Sequence, residues 1–166
     1  MTTFANEIFI EAPPEEVWEA LADFSGVHRF HPTVSDSRSL TDDDRGLGAT
    51  RQCDLTLGGG QLEERISSWD EGRSYSLDIV GGKRTPPFES AVATMSVRSA
   101  AGGSIASAQL VYTLRGGLLG SLMDRTMVAP KFRPAFADLL RGLKHHVETG
   151  EVVTEQTPLD YEVLSA

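Results

Sequence analysis

Phe4-Ala5-Asn6-Glu7-Ile8-Phe9-Ile10-Glu11-Ala12-Pro13-Pro14-Glu15-Glu16-Val17-Trp18 reads as one strand followed by one helix, and this change of period organises the whole chain. From Phe4 to Glu11 the residues alternate, with Asn6, Ile8 and Ile10 on one face and Glu7, Phe9 and Glu11 on the other, as in a half-buried strand. Ala12-Pro13-Pro14 ends it, because proline offers no ladder donor. Pro14 suits the first helical position, and Glu15 and Glu16 favour the positive end of the helix dipole. Val17, Leu21 and Phe24 recur at i, i+4 and i+7 beside Trp18, which predicts one apolar stripe on a helix ending near Ser25-Gly26.

Downstream, a short helical turn over Val27 to Phe30 is expected to stop before Pro32, which disfavours the helical region for His31. The pattern then becomes strand-like. The runs are Thr33 to Leu40, Ala49 to Leu57, Gln61 to Asp70, Ser74 to Val80, Phe88 to Arg98 and Ser104 to Leu114. Their separators are acidic or glycine-rich and short enough for consecutive strands to pair as hairpins. Beyond Leu114 a helical period returns in Phe132, Phe136, Leu139, Leu140, Leu143 and Val147. Leu118, Leu119, Leu122, Met123, Met127 and Val128 form its first part, with a break expected near Pro130. After Gly150 the tail carries acids and no bases; it is either loosely attached or paired with basic helix surface.

A chain of 166 residues with 40% hydrophobic and 23% charged side chains has room for one core, which predicts one domain over residues 1–150 and an acidic tail over 151–166. The formal charge of −9 repels a nucleic-acid backbone, so no nucleic-acid partner is expected. The imbalance is local: residues 1–83 hold 16 acids and 7 bases, and residues 84–166 hold 8 of each. One cysteine, Cys53, makes no internal disulfide, which suits a reducing compartment. With no secretion-signal pattern at the start and no apolar run of membrane-spanning length, the expectation is a cytoplasmic monomer or homodimer without stable membrane insertion.

Seven antiparallel strands with one apolar face need a cover, and the long C-terminal helix is the amphipathic segment available for it. The expected fold class is therefore α+β: a curved seven-stranded sheet wrapped around that helix, with two short helices after the first strand. A strongly curved sheet gripping one helix leaves a concavity that side chains do not fill, and this mostly apolar pocket is the expected site. The order of elements, with Ala12-Pro13-Pro14-Glu15-Glu16-Val17-Trp18 and Phe30-His31-Pro32 at the first helices, resembles the START/Bet v1 (SRPBCC) helix-grip superfamily. Its bacterial polyketide cyclase/dehydrase and lipid-transport-like branch is the most similar, over residues 4 to about 149. Thr50-Arg51, Glu64-Arg65 and Ile79-Val80-Gly81-Gly82-Lys83-Arg84 are also similar to the plant abscisic-acid receptors of this fold. Where those receptors carry a Ser-Gly-Leu-Pro-Ala gate, this chain has Leu57-Gly58-Gly59-Gly60, so hormone-gated phosphatase binding is not implied.

If Leu62 and Ile66 face inward, period two turns Glu64 inward as well, and the resemblance implies a pocket carboxylate at that position. Glu64 is then a candidate general acid or base, a ligand hydrogen-bonding group, or a structural partner of Arg51 on the neighbouring strand. The resemblance implies that the face bearing Arg51, Cys53 and Leu55 points inward, where Arg51 can hold an anionic ligand group. Cys53 reads as a small apolar wall residue, since no histidine adjoins it as a base. In the receptor-like alignment His28 falls near a ligand-contacting lysine. With His31 it makes only two imidazoles, too few for a metal site, and neither metal nor cofactor is expected. Tyr75, Leu77 and Ile79 on one face, Phe88 after two prolines, Tyr112, and Phe132, Phe136 and Leu140 on the last helix complete the candidate walls.

These residues suit a module that binds a small hydrophobic molecule such as a lipid, an isoprenoid or a polyketide-like aromatic. Two other functions fit the resemblance: a polyketide cyclase/dehydratase-like enzyme moving a proton through Glu64, and a ligand-modulated or stress-related regulator acting through a protein partner.

Overall fold

The computed structural model describes residues 1–56 and 58–165. Strand β1 (Thr2–Ile10) leads into helix α1 (Pro14–Ala22) and a 3₁₀ helix (Phe24–Arg29). There follow β2 (Val34–Ser39), β3 (Thr50–Leu55), β4 (Gln61–Asp70), β5 (Ser74–Lys83), β6 (Phe88–Ala100) and β7 (Gly103–Leu114). Helix α2 (Gly117–Met123), a π-helical segment (Asp124–Val128), α3 (Ala129–Thr149) and a short β8 (Leu164–Ser165) close the chain. The expected end of the third strand, Leu57, lies outside the described residues, as does the first residue of the Leu57-Gly58-Gly59-Gly60 turn.

The strands form one antiparallel sheet in the order β2-β3-β4-β5-β6-β7-β1-β8. Consecutive strands pair as the short separators require, and β1 closes onto β7 with Phe4 opposite Leu110 and Ile8 opposite Ala106. Among the described residues the sheet has eight strands where seven were expected. The eighth comes from the tail: Leu164 and Ser165 pair with Glu7 and Asn6 and cover part of the edge that β1 would otherwise present. The tail is also attached at points before that strand. The Val153 N–H donates to Arg29 O at 2.8 Å and its side chain is buried. Arg141 Nε donates to Tyr161 O at 2.9 Å, and His145 bonds the Tyr161 hydroxyl and the Glu151 carboxylate. Of the tail's acids only Glu151 pairs with a helix side chain among the described residues, His145; its other attachments include the Tyr161 carbonyl and hydroxyl, the Val153 N–H and the β8 edge.

α1 buries Val17, Trp18, Leu21 and Ala22, with Pro14 and the two glutamates in its first turn as expected. The second short helix begins earlier than expected, at Phe24, and is wound as a 3₁₀ helix. The break anticipated near Pro130 takes a specific form. Pro130 has no N–H for the carbonyl four residues back, and just before it the ladder widens, the Ala129 N–H reaching Asp124 O five residues away. α3 then packs on β1, α1 and β7, burying Leu139, Leu140, Gly142 and Leu143.

Candidate functional site

The register of β3 on β4 sets Arg51 opposite Glu64 and Cys53 opposite Leu62, with Arg51 and Cys53 buried on the inner face. Arg51 Nε donates to Glu64 Oε2 at 2.6 Å and Nη1 donates to Phe24 O, while the guanidinium lies 4.0 Å over the Phe24 ring. The Cys53 thiol donates to the same Glu64 oxygen at 3.6 Å. Glu64 Oε1 takes no bond from any described residue. Burial works against the charged guanidinium, but the Glu64 carboxylate together with Cys53 and Tyr75 more than offsets it and holds Arg51 above its ordinary value. Burial pushes the Cys53 thiol well up, and the Glu64 charge adds to the rise. Tyr75 is raised to about 12, first by burial. A thiol and a phenol held protonated, around one ion pair, are hydrogen-bonding groups rather than nucleophiles.

One end of this inner face is closed by aromatics. Trp69 stacks on Tyr75 with centroids 5.8 Å apart, Trp18 lies 5.1 Å from Trp69, and Phe24 meets Tyr75 edge-on at 6.0 Å. Both indole N–H groups donate to Glu71, at 3.0 and 2.8 Å. The other end is looser. Leu55 on β3, Leu62 on β4, Ile79 on β5, Phe88 at the start of β6 and Phe132 and Phe136 on α3 are all only half-buried. Phe88 meets Tyr112 at 5.6 Å and Phe132 at 5.9 Å, both edge-on. The glycine hairpins stand at this end. A Cβ at Gly82 would lie 2.3 Å from Gln61 O, so the β5 backbone approaches β4 there only as glycine. Arg84 Nη1 donates to Gly58 O at 3.1 Å and ties the two loops together.

The structure thus gathers Arg51, Cys53, Glu64 and Tyr75 into one polar group, with Leu77 buried beside Tyr75 on β5, and Leu55, Ile79, Phe88, Phe132 and Phe136 at the looser end. Leu140 is fully buried in the core. Tyr112 is buried, and its hydroxyl donates to Asp124 of the π segment, which also accepts from the Thr2 hydroxyl. His28 bonds Ser37 on β2 through Nδ1 at 2.7 Å, so that nitrogen is not turned to Glu64. The imidazole that senses the polar group is His31, lowered to about 4 by burial first and by Arg51, with Glu64 and Asp138 acting the other way. Sequence reading passed over His31 as a pocket group, together with Phe24 and Trp69. The only local signal was the His28/His31 spacing, which does not tell which ring turns inward. Among the described residues no three His, Cys, Asp or Glu side chains are placed to hold a metal, and no helix is long and apolar enough to cross a membrane. A surface cleft of about 480 Å³ between α1 and the end of α3, with Glu15, Glu19, Asp23, Phe30 and His146 in its lining, is separate from the Arg51–Glu64 group.

A curved antiparallel sheet folded round a C-terminal helix, with a polar pair on its concave face, defines the helix-grip class of ligand-binding domains. The chain belongs to the polyketide cyclase/dehydrase and lipid transport family, whose model matches residues 1–148. No curated protein matches the sequence. Among solved structures it is similar to the protein XoxI from Bacillus cereus, at 18% identity and a TM-score of 0.72 over 90% of this chain and 97% of that one. It is also similar to TTHA0849 from Thermus thermophilus, at 20% identity and a TM-score of 0.73 over 90% and 99%. Ginseng major latex-like protein 151 from Panax ginseng aligns at 14% identity and a TM-score of 0.69 over 87% and 96%.

Proposed function

We propose that the chain binds a small, largely apolar molecule at the looser end of the sheet, under α3, with the Arg51–Glu64 group as the polar contact. The observation that carries this reading is a shared gradient of burial. Along β3 from Cys53 to Leu55, along β4 from Ile66 to Leu62 and along β5 from Leu77 to Ile79, the inner-face side chains pass from buried to half-buried. Along α3 the same change runs from Leu140 back to Phe136 and Phe132. Four elements that loosen toward one end favour an apolar guest there, because each half-exposed side chain gains by losing its remaining contact with water. Glu64 Oε1 and His31 Nε2, whose companion Nδ1 is taken by Thr33, offer the polar end of such a guest its hydrogen bonds.

Native mass spectrometry of gently purified protein, followed by denaturation and identification of any released molecule, tests the reading. A copurifying apolar compound, or saturable displacement of an apolar fluorescent probe that Phe136→Asp abolishes, supports it. Failure of a broad panel of apolar ligands to displace the probe overturns it. A proton-transfer role for Glu64 would instead require turnover of a poly-β-carbonyl chain that Glu64→Gln abolishes, and it would have to proceed from a carboxylate already engaged by Arg51 and Cys53.

A further inference from the structure

Leu118, Leu119, Leu122 and Met127 are 91%, 79%, 60% and 59% exposed, an unusual concentration of bare apolar side chain within ten residues. Leu118 and Leu122 are one α turn apart, and Met127 follows five residues on across the π segment, so the wider turn before Pro130 continues the stripe. The stripe projects as a ridge and its base is fixed: Asp124 accepts from Tyr112 on β7 and Thr2 on β1, pinning the π segment to the sheet. The segment itself is basic, although Glu89 on β6 lines the same cleft as Gly117, Ser121 and Asp124. Residues 115–133 carry Arg115, Arg125, Lys131 and Arg133 against the single acid Asp124. All four cations are exposed, and none forms an ion pair among the described residues.

We propose that the ridge from Leu118 to Met127, with its flanking Arg115, Arg125 and Lys131, docks the protein on an anionic membrane surface, the apolar side chains entering the headgroup boundary and the cations meeting lipid phosphates. Exposed leucines in a segment that also carries three exposed cations, unpaired among the described residues, complement a surface that is apolar below and negative above. The overall charge of −9 does not oppose this, since most acids lie in the first half of the chain and exposed charges beyond roughly 8 Å are screened at physiological salt. The ridge lies on the membrane rather than spanning it, and it continues directly into α3, whose Phe132 and Phe136 border the proposed ligand site. Docking rests on the ridge alone and does not depend on what the interior binds.

Co-sedimentation of the full chain with vesicles tests the docking, using phosphatidylcholine alone and equal parts phosphatidylcholine and phosphatidylglycerol, at low and at high salt. The expected result is sedimentation with the anionic vesicles at low salt, weakened by high salt, and little with phosphatidylcholine alone. The double variant Leu118→Ser/Leu119→Ser, altered only at exposed side chains and checked for an unchanged melting curve, should lose roughly tenfold or more of the affinity. Arg125→Glu should lose about fivefold or more. No sedimentation of the native protein, equal sedimentation with both vesicle types, or full binding by the leucine variant overturns the proposal. It is overturned as well if the native protein is a dimer in solution that the leucine variant splits into monomers, because the ridge would then be covered by a second copy.

Discussion

Arg51 on β3 and Glu64 on β4 stand directly opposite each other, and their 2.6 Å ion pair is closed off from water, with 6% and 12% of the two side chains exposed. The guanidinium is also committed to Phe24 O and to the Phe24 ring, so the pair links the sheet to the 3₁₀ helix. Two charges held out of water gain little net stability together but are costly to separate.

Glu64→Gln should therefore destabilise the fold by about 3–5 kcal/mol, because it leaves the Arg51 charge buried without its counterion. Replacing both partners, as Arg51→Met with Glu64→Leu, should restore most of that loss. Urea unfolding of the three proteins measures it, and equal midpoints for native and Glu64→Gln would show that the pair is not a structural constraint.

His31 gives the fold a pH dependence with a definite sign. Its folded value of about 4 lies below the ordinary 6.5, so between these values the unfolded chain binds the extra proton. The contribution is complete above about pH 6.5, declines as the pH falls, and is spent below about pH 4. The shift bounds it at about 3 kcal/mol. His31→Gln should flatten the stability profile in that window, and an unchanged slope would remove His31 as its source.

Cys53 is expected to resist alkylation in the folded protein at pH 8, because its thiol is buried and held protonated. Labelling by iodoacetamide should follow unfolding, rising steeply across the denaturant midpoint. Rapid labelling of native protein would mean that the β2–β3 side of the site opens locally.

Gly142→Ala reverses the usual rule for a helix interior. Alanine normally gains about 1 kcal/mol over glycine in α3-like surroundings. Here the added Cβ would lie 1.9 Å from Phe30 O, so α3 must lift from the end of the 3₁₀ helix. Thermal unfolding should show a loss of about 1–3 kcal/mol, the cost of overpacking.

Strands, helices and their order were legible in the chain because alternation and the 3.6-residue period are carried by near neighbours. The switch at Pro13-Pro14, the meander of short separators and the apolar stripe of the last helix each need only a local window. Even the disturbance before Pro130 follows from one missing N–H. The inward register of Arg51, Cys53, Glu64 and Tyr75 was a matter of parity, which a one-residue slip would have reversed. That parity is settled by which strands meet.

Long-range placement was not legible. Whether Glu64 serves a ligand or Arg51 depends on two strands meeting across a hairpin. The fate of the acidic tail depends on Tyr161 reaching Arg141 and His145, and on Leu164 meeting Glu7 at the far edge of the sheet. His28 and His31 carry the same side chain three residues apart. One bonds Ser37 and the other, half-buried, feels the charges of Arg51, Glu64 and Asp138, contributed by β3, β4 and α3. Burial and charge environment belong to the assembled sheet and helix: they arise from residues distant in the chain, whose meeting no local pattern records.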